Sequence, residues 1–219
     1  FGFGNPSETE LVNFSLFWLF CDFFSIFRLN FNCMAETLPY YSNLLMVGGT
    51  SKKSGKTSAI RNIISHFSED SVVAVKAILF DNDEHFYTHY PEAVGTDYFA
   101  INEQEAIDKD SGRYLKSGAH QAWFLAATTS GESKLFRQID ALCNEGNPVI
   151  LESNVLRKFV RPAVFIMLVN PERRIKPSAK AMQDKIDLHL NSTNEDIEQI
   201  SSHLKIENHQ WKLIRKTQT

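Results

Sequence analysis

Short apolar runs alternate with stretches of helical periodicity along most of the chain after Met34. Continuous apolar runs bounded by turn residues are typical of strands that are covered on both faces of a sheet. By this criterion the sequence predicts six strands, at 43–47, 72–79, 122–127, 148–151, 164–169 and 186–190.

Helical spacing fills most of the intervals between these runs. At 57–67, for example, Ile60, Ile63, Ile64 and Phe67 fall on one face of a helix. Further helices are predicted at 110–116, 132–143, 178–185 and 194–204, and an edge strand at 210–214. The stretch 80–102 has no clear period, and we expect a long loop there. Strands alternating with helices predict an α/β fold, a doubly wound and mostly parallel sheet with helices on both sides.

Composition divides the chain near Met34. Residues 1–33 contain nine of the 17 phenylalanines and no lysine. The stretch 11–29 is about long enough to span a membrane, but Asp22 at its centre opposes insertion by roughly 3 kcal/mol. Three interpretations stay open for 1–33: upstream sequence before a natural start at Met34, a weak membrane anchor, or an additional packed helix. We treat 34–219 as the main domain.

Charge and cysteine content exclude few functions. The formal net charge of −3 gives no indication of a nucleic-acid partner or an acidic membrane. Cys21, Cys33 and Cys143 have neither metal-ligand nor redox spacing, which fits a reducing compartment. We therefore expect a cytoplasmic protein without a nucleic-acid partner and without membrane association.

A glycine-rich loop lies between the first predicted strand and the first predicted helix. Gly49 and Gly55 let the backbone approach an anion without an intervening Cβ. Backbone N–H groups and the following helix N-terminus attract that anion, Lys56 can reach terminal phosphates, and the Thr57 hydroxyl can ligate Mg²⁺. The loop predicts a P-loop whose binding residues are Gly49, Thr50, Ser51, Lys52, Lys53, Ser54, Gly55, Lys56, Thr57 and Ser58. Five residues rather than the usual four separate the two glycines, so a glycine turn without a ligand is the alternative.

Glu152 is the strongest candidate outside the loop, because ligands collect at the carboxyl ends of strands in open α/β sheets. Asp110 is a further candidate, in competition with Asp81 and Asp83. The alternatives are a solvent-facing carboxylate for Glu152 and a helix N-terminal acid for Asp110. Lys76, at the end of the second predicted strand, is either a phosphate-facing lysine or an edge lysine that reaches water.

These assignments give two overlapping sets of residues. The candidate catalytic residues are Lys56, Glu152 and Asp110. The candidate metal ligands are Thr57, Glu152 and Asp110, with Mg²⁺ as the expected metal.

The phosphate loop and the apolar strand that ends in Glu152 resemble those of dethiobiotin synthetase and its relatives. The stretches 109–115, 117–119, 123–125 and 152–154 are more closely similar to bacterial proteins resembling the GTP-binding B protein of molybdopterin-guanine dinucleotide biosynthesis. The resemblance covers about 43–181. It implies a P-loop NTPase domain of Rossmann-like three-layer architecture, a glutamate that helps to hold Mg²⁺, and Lys76 facing the substrate or phosphates. Homodimers that complete the site across their interface occur among such relatives.

The expected function is Mg²⁺-dependent binding and slow hydrolysis of ATP or GTP. The closer resemblance implies an accessory role in molybdenum-cofactor maturation, with molybdenum-cofactor proteins as partners. Two alternatives stay open: an ATP-dependent ligase or kinase acting on a small molecule, and a nucleotide-dependent interaction module with little turnover. The sequence has no Asn-Lys-x-Asp motif for guanine. Asn170 and Asn191 are candidates for base contact, or else turn residues at strand ends.

Overall fold

The computed structural model of the chain describes residues 38–80, 84–105 and 109–214, with Asp110 described by its backbone alone. The predictions for 1–33 and for Asp81 and Asp83 lie outside these residues. Apart from Leu38, all described residues belong to one unit of the chain, Pro39–Thr219.

Seven strands form the central sheet. They are β1 (Tyr40–Gly49), β2 (Val73–Leu79), β3 (Tyr98–Asn102), β4 (Gln121–Ala127), β5 (Val149–Glu152), β6 (Arg161–Val169) and β7 (Leu188–Asn191). Their order across the sheet is β3-β4-β2-β5-β1-β6-β7. Every neighbouring pair is parallel except β3 and β4. The prediction of an α/β fold with a mostly parallel sheet is confirmed.

Six α-helices and a separate hairpin complete the described fold. The helices are α1 (Lys56–His66), α2 (Glu84–His89), α3 (Asp110–Lys116), α4 (Glu132–Asn144), α5 (Pro177–Lys180) and α6 (Asn194–Gln199). The hairpin consists of β8 (Leu204–Glu207) and β9 (Gln210–Leu213), which pair antiparallel. The helix predicted at 178–185 is wrong in its extent, because α5 ends at Lys180 and only a 3₁₀ turn follows at Gln183–Lys185.

Both faces of the sheet are covered, as the continuous apolar strands predict. Alternation along β1 sends Leu44 and Met46 to the face that packs against α4. Leu45 and Val47 point to the opposite face, which packs against α1, α3 and the hairpin. Each buried Leu, Val or Met contributes roughly 1.5–3 kcal/mol, so the two apolar layers fix β1 at the centre of the sheet.

The strand predicted at 210–214 exists and is an edge strand, as predicted, but it belongs to the separate two-stranded hairpin and not to the central sheet. It forms β9 of the hairpin, whose turn places Asn208 and His209 at positive φ, 51° and 61°. Trp211 anchors the hairpin, because its Nε1 donates to the Val149 carbonyl at 3.1 Å and its ring packs edge-on against Phe67. The strand β8 was not predicted, because its four residues, Leu-Lys-Ile-Glu, form no continuous apolar run.

The long loop predicted at 80–102 is also wrong, since α2 and β3 lie within it. Aromatic packing stabilises this region: the Phe80 and Phe86 rings stack at 4.0 Å, and Phe124 of β4 joins the same cluster. The strand β3 is antiparallel and only half-buried. Residues 98–101 nevertheless form a continuous apolar run, Tyr-Phe-Ala-Ile, which is the same strand signal as that of the parallel strands and was overlooked in the prediction of a loop. None of the helices in the described ranges has the length and apolar character needed to cross a membrane.

Packing of α4 against the sheet generates a testable prediction at Cys143. The thiol is buried, and burial, followed by the nearby Asp140 carboxylate, raises its pKa to about 12. The thiolate is the reactive form, so we expect iodoacetamide at pH 8 to modify Cys143 only after unfolding in urea. Peptide mass spectrometry with and without urea measures this directly. Rapid modification in native buffer would contradict the packing of α4.

Candidate functional site

The connection from β1 to α1 has the geometry of an open helix N-terminus. Gly55 immediately precedes α1 with a φ of +74°, which favours glycine. A Cβ at this position would also lie 2.5 Å from Ile197 Cδ1. No side chain caps α1, and its first turn contains no acidic residue. The first N–H groups of the helix therefore remain available to an anion.

Asn154 holds the start of this loop, a role that the sequence did not reveal. Its Oδ1 accepts from the Gly49 N–H at 2.9 Å, and its Nδ2 donates to the Gly49 carbonyl at 3.0 Å. A Cβ on the neighbouring Gly48 would lie 2.6 Å from Asn154 Oδ1. An amide donates and accepts at once, so it can satisfy both backbone groups of a residue. The only sequence signal was an asparagine two residues after a buried strand.

Thr50 fastens the loop to the segment that follows β6. Its N–H donates to the Leu168 carbonyl at 2.9 Å, while its hydroxyl accepts from the Asn170 N–H at 3.0 Å. Its carbonyl accepts from the Lys176 N–H at 2.9 Å. The Asn170 side chain itself accepts from the Glu172 N–H, which is the turn role and not base contact. Thr50 therefore serves to position the loop through both backbone and side chain.

Two hydroxyl groups of the loop are buried without a hydrogen-bond partner in the described structure, those of Ser51 and Ser54. Ser54 is fully buried, and its Oγ lies 2.0 Å from the point where a Cβ on Gly49 would stand. Glycine is thus required at position 49 for this side chain to pack. A buried hydroxyl without a partner costs roughly 1–3 kcal/mol, so the loop interior holds two hydroxyl groups whose hydrogen bonds are not made within the described structure.

Lys56 and Glu152 meet at the carboxyl edge of the sheet, as predicted. The Lys56 Nζ lies 3.7 Å from Glu152 Oε1, an ion-pair distance that is too long for a hydrogen bond. The other oxygen, Oε2, accepts from the hydroxyl of the buried Tyr114 at 2.5 Å. Lys76 is aligned with Glu152 in the β2–β5 register, so both residues share one face of the sheet. Glu152 is only 7% exposed, which excludes the solvent-facing alternative.

Lys176 is a further lysine of this region that sequence reasoning missed. Its side chain is half-buried, and that burial lowers its pKa. The positive charges of Lys56 and Lys52 lower the pKa further, while the Glu152 carboxylate opposes them. Three ammonium groups therefore act on one another around a single buried carboxylate. Its position in the basic run 173–176 gave no reason to associate it with a loop more than 100 residues earlier.

The remaining loop residues lie at its rim. Thr57 is half-buried in the first turn of α1, and Lys52 and Lys53 are exposed. Lys53 has a positive φ of 57°, as a tight turn requires. Ser58 is exposed and lines a polar cleft between α1 and α6.

The proposed metal ligands are only partly described. Asp110 begins α3 as predicted, but its side chain is not among the described groups. Within the described ranges, no group of three His, Cys, Asp or Glu side chains could hold a metal ion by itself. Of the three predicted metal ligands, the structure therefore describes the side chains of Thr57 and Glu152 only.

Comparison of the chain with protein-family models, with curated proteins and with solved structures found no match. The resemblances drawn from the loop and the later stretches stay predictions.

The Asn154 hydrogen bonds give a prediction for stability. In Asn154→Ala the buried N–H and carbonyl of Gly49 both lose their partner, at roughly 1–3 kcal/mol for each group. We expect the free energy of unfolding to fall by roughly 2–6 kcal/mol in urea denaturation. Asn144→Ala, which removes an exposed asparagine at the end of α4, is the control and should change stability little. Equal effects of the two substitutions would show that the contacts to Gly49 do not hold the loop.

Proposed function

We propose that the chain binds ATP or GTP together with Mg²⁺ at the loop 49–58 and hydrolyses the nucleotide slowly, as a P-loop NTPase. The observation that carries this proposal is the set of unused donors at one place: an uncapped helix N-terminus, two buried hydroxyl groups and a cluster of lysines. Donors concentrated at a helix N-terminus favour an anion, and a polyphosphate has acceptor oxygens enough to satisfy them together.

In this proposal each part of the loop has a separate task. The backbone N–H groups that lead into α1, from Gly55 onward, bind the phosphates along their length. Lys56 neutralises charge on the terminal phosphates, where charge is redistributed during phosphoryl transfer. The hydroxyls of Ser51 and Ser54 are the additional donors within the loop. Binding of this kind is achieved by positioning and electrostatics, for which a rigid loop is suited.

The residues around Glu152 suit Mg²⁺, which prefers oxygen ligands and binds alongside substrate phosphates. Thr57 and Glu152 would hold the ion, with Asp110 as a third candidate. Tyr114 already donates to one oxygen of Glu152, so the carboxylate is oriented with Oε1 toward Lys56. A bound Mg²⁺ supplies neutralisation of phosphate charge. The protein's own contribution is to keep Glu152 oriented and shielded from bulk water.

Slow turnover is part of the proposal. We assign each described polar side chain around the loop either to stabilising the fold or to contacting the phosphates. None of these side chains is assigned as the base that orients an attacking water. A P-loop protein in that condition turns over slowly until a partner completes the site. As the cellular role we propose an accessory function in molybdenum-cofactor maturation, on the resemblance of stretches 109–125 and 152–154 alone. Normal molybdoenzyme activity in a strain that lacks the chain would overturn that role.

Replacement of Lys56 tests the binding site. We expect Lys56→Ala to weaken binding of Mg-ATP or Mg-GTP by about 100-fold, since it removes a charge-assisted contact in a shielded site. Isothermal titration calorimetry with both nucleotides measures the effect and also gives the base preference. Lys116→Ala, at the exposed end of α3, should bind as the unmodified chain does. Unchanged affinity in Lys56→Ala would refute the loop as the site.

Phosphate release by the unmodified chain then distinguishes an NTPase from a binding module without turnover.

A further inference from the structure

Lys176 is placed beside the loop by the backbone. The segment 170–176 begins with the Asn170 N–H bound to the Thr50 hydroxyl and ends with the Lys176 N–H bound to the Thr50 carbonyl. One residue of the loop thus holds both ends of this segment. Because the Lys176 N–H is bound to the Thr50 carbonyl, the Lys176 Cα atom, from which the side chain extends, has a fixed position next to the loop.

The surroundings of the Lys176 ammonium group are those of the site itself. Besides burial, the charges that act on it are those of Lys56, Glu152 and Lys52. Within the described part of the chain its Nζ makes no hydrogen bond or ion pair. Among the described residues, the acidic side chain that acts on it is Glu152, which also lies near Lys56 and accepts the hydrogen bond from Tyr114. Like charges brought together in a half-buried place repel, and the described protein groups do not fully compensate for them.

The wider surface has the same sign of charge. The loop 49–57 and the segment 170–180 together contain seven basic side chains and a single acidic one, Glu172, although the chain as a whole has a net charge of −3. Five of the seven are exposed, and Lys56 and Lys176 are the two that are half-buried. The exposed residues of this set attract anions in general, whereas Lys56 and Lys176 are shielded enough to bind one specifically.

We propose that Lys176 is an anion-binding residue of the nucleotide site and contacts the terminal phosphate of a nucleoside triphosphate together with Lys56. This inference rests on the proposed function. Two observations on geometry support it: the backbone anchor at Thr50, and the buried hydroxyl of Ser54, which lies without a partner inside the same loop. The terminal phosphate is assigned because the bond between the Lys176 N–H and the Thr50 carbonyl places Lys176 beside the same loop that carries Lys56. Lys56 is also the residue that reaches the end of the polyphosphate in loops of this kind.

The test compares triphosphate with diphosphate binding. The probe is ATP or GTP, whichever the unmodified chain binds more tightly with Mg²⁺, and the corresponding diphosphate. In Lys176→Met we expect the affinity for the triphosphate to fall by about 10- to 100-fold and the affinity for the diphosphate to change far less. Lys176→Arg keeps the charge and should recover most of the lost affinity. Calorimetry gives both dissociation constants without relying on turnover.

The controls separate this inference from the proposed function. Lys180→Met makes the same change of charge at an exposed position one helical turn later, and should leave both affinities unchanged. Equal loss for triphosphate and diphosphate in Lys176→Met, or no loss, would overturn the assignment to the terminal phosphate while leaving the nucleotide site intact. Absence of any nucleotide binding by the unmodified chain would overturn the proposed function and this inference together. Thermal unfolding of each variant shows whether the fold is retained.

Discussion

The position of Gly49 at the end of β1 is the constraint on which the site depends. β1 lies in the middle of the sheet, between β5 and β6, and its last residue must turn into the loop without losing its backbone hydrogen bonds. The Asn154 amide satisfies both backbone groups of Gly49, and Thr50 bonds to the end of β6. The Asn154 side chain, which follows β5, holds Gly49, and the Leu168 carbonyl, near the end of β6, holds Thr50. The start of the loop is therefore fixed from both neighbouring strands. The direction of the loop follows from these bonds.

The loop has a further support from the opposite side. Ser192, just after β7, donates through its hydroxyl to the Ser54 carbonyl at 3.1 Å, and Ile197 of α6 covers Gly55. The loop is thus held by the segments after β5, β6 and β7 and by one helix. These contacts use the backbone of the loop, and they leave the hydroxyls of Ser51 and Ser54 and the N-terminus of α1 unused. A support of this kind keeps donors in place before any ligand arrives.

Much of this architecture can be predicted from the sequence, but the contacts that complete the site cannot. Apolar runs identified the parallel strands, because strands buried on both faces must be apolar throughout. The hairpin strand β8 lacks that signal, whereas β3 carries it at 98–101 and was overlooked within a stretch whose flanking residues show no clear period. Gly55, Lys56 and Glu152 could be found because a local motif or a strand end marks them. Asn154, Tyr114 and Lys176 act through residues distant in sequence, and no local pattern distinguishes them from ordinary turn, core and surface positions.

The rigidity of the loop also explains how like charges can coexist there. In a flexible loop, Lys56 and Lys176 could separate and place their ammonium groups in water, with less loss of conformational entropy. Here α1 fixes the backbone of Lys56, and the Lys176 N–H is bound to Thr50. The repulsion that remains is reduced only in part by Glu152, and an anion between the lysines would reduce it more. If an anion binds as we propose, this anchoring means that little rearrangement is needed, so the energy of the contacts would appear as affinity and would not be consumed in ordering the loop.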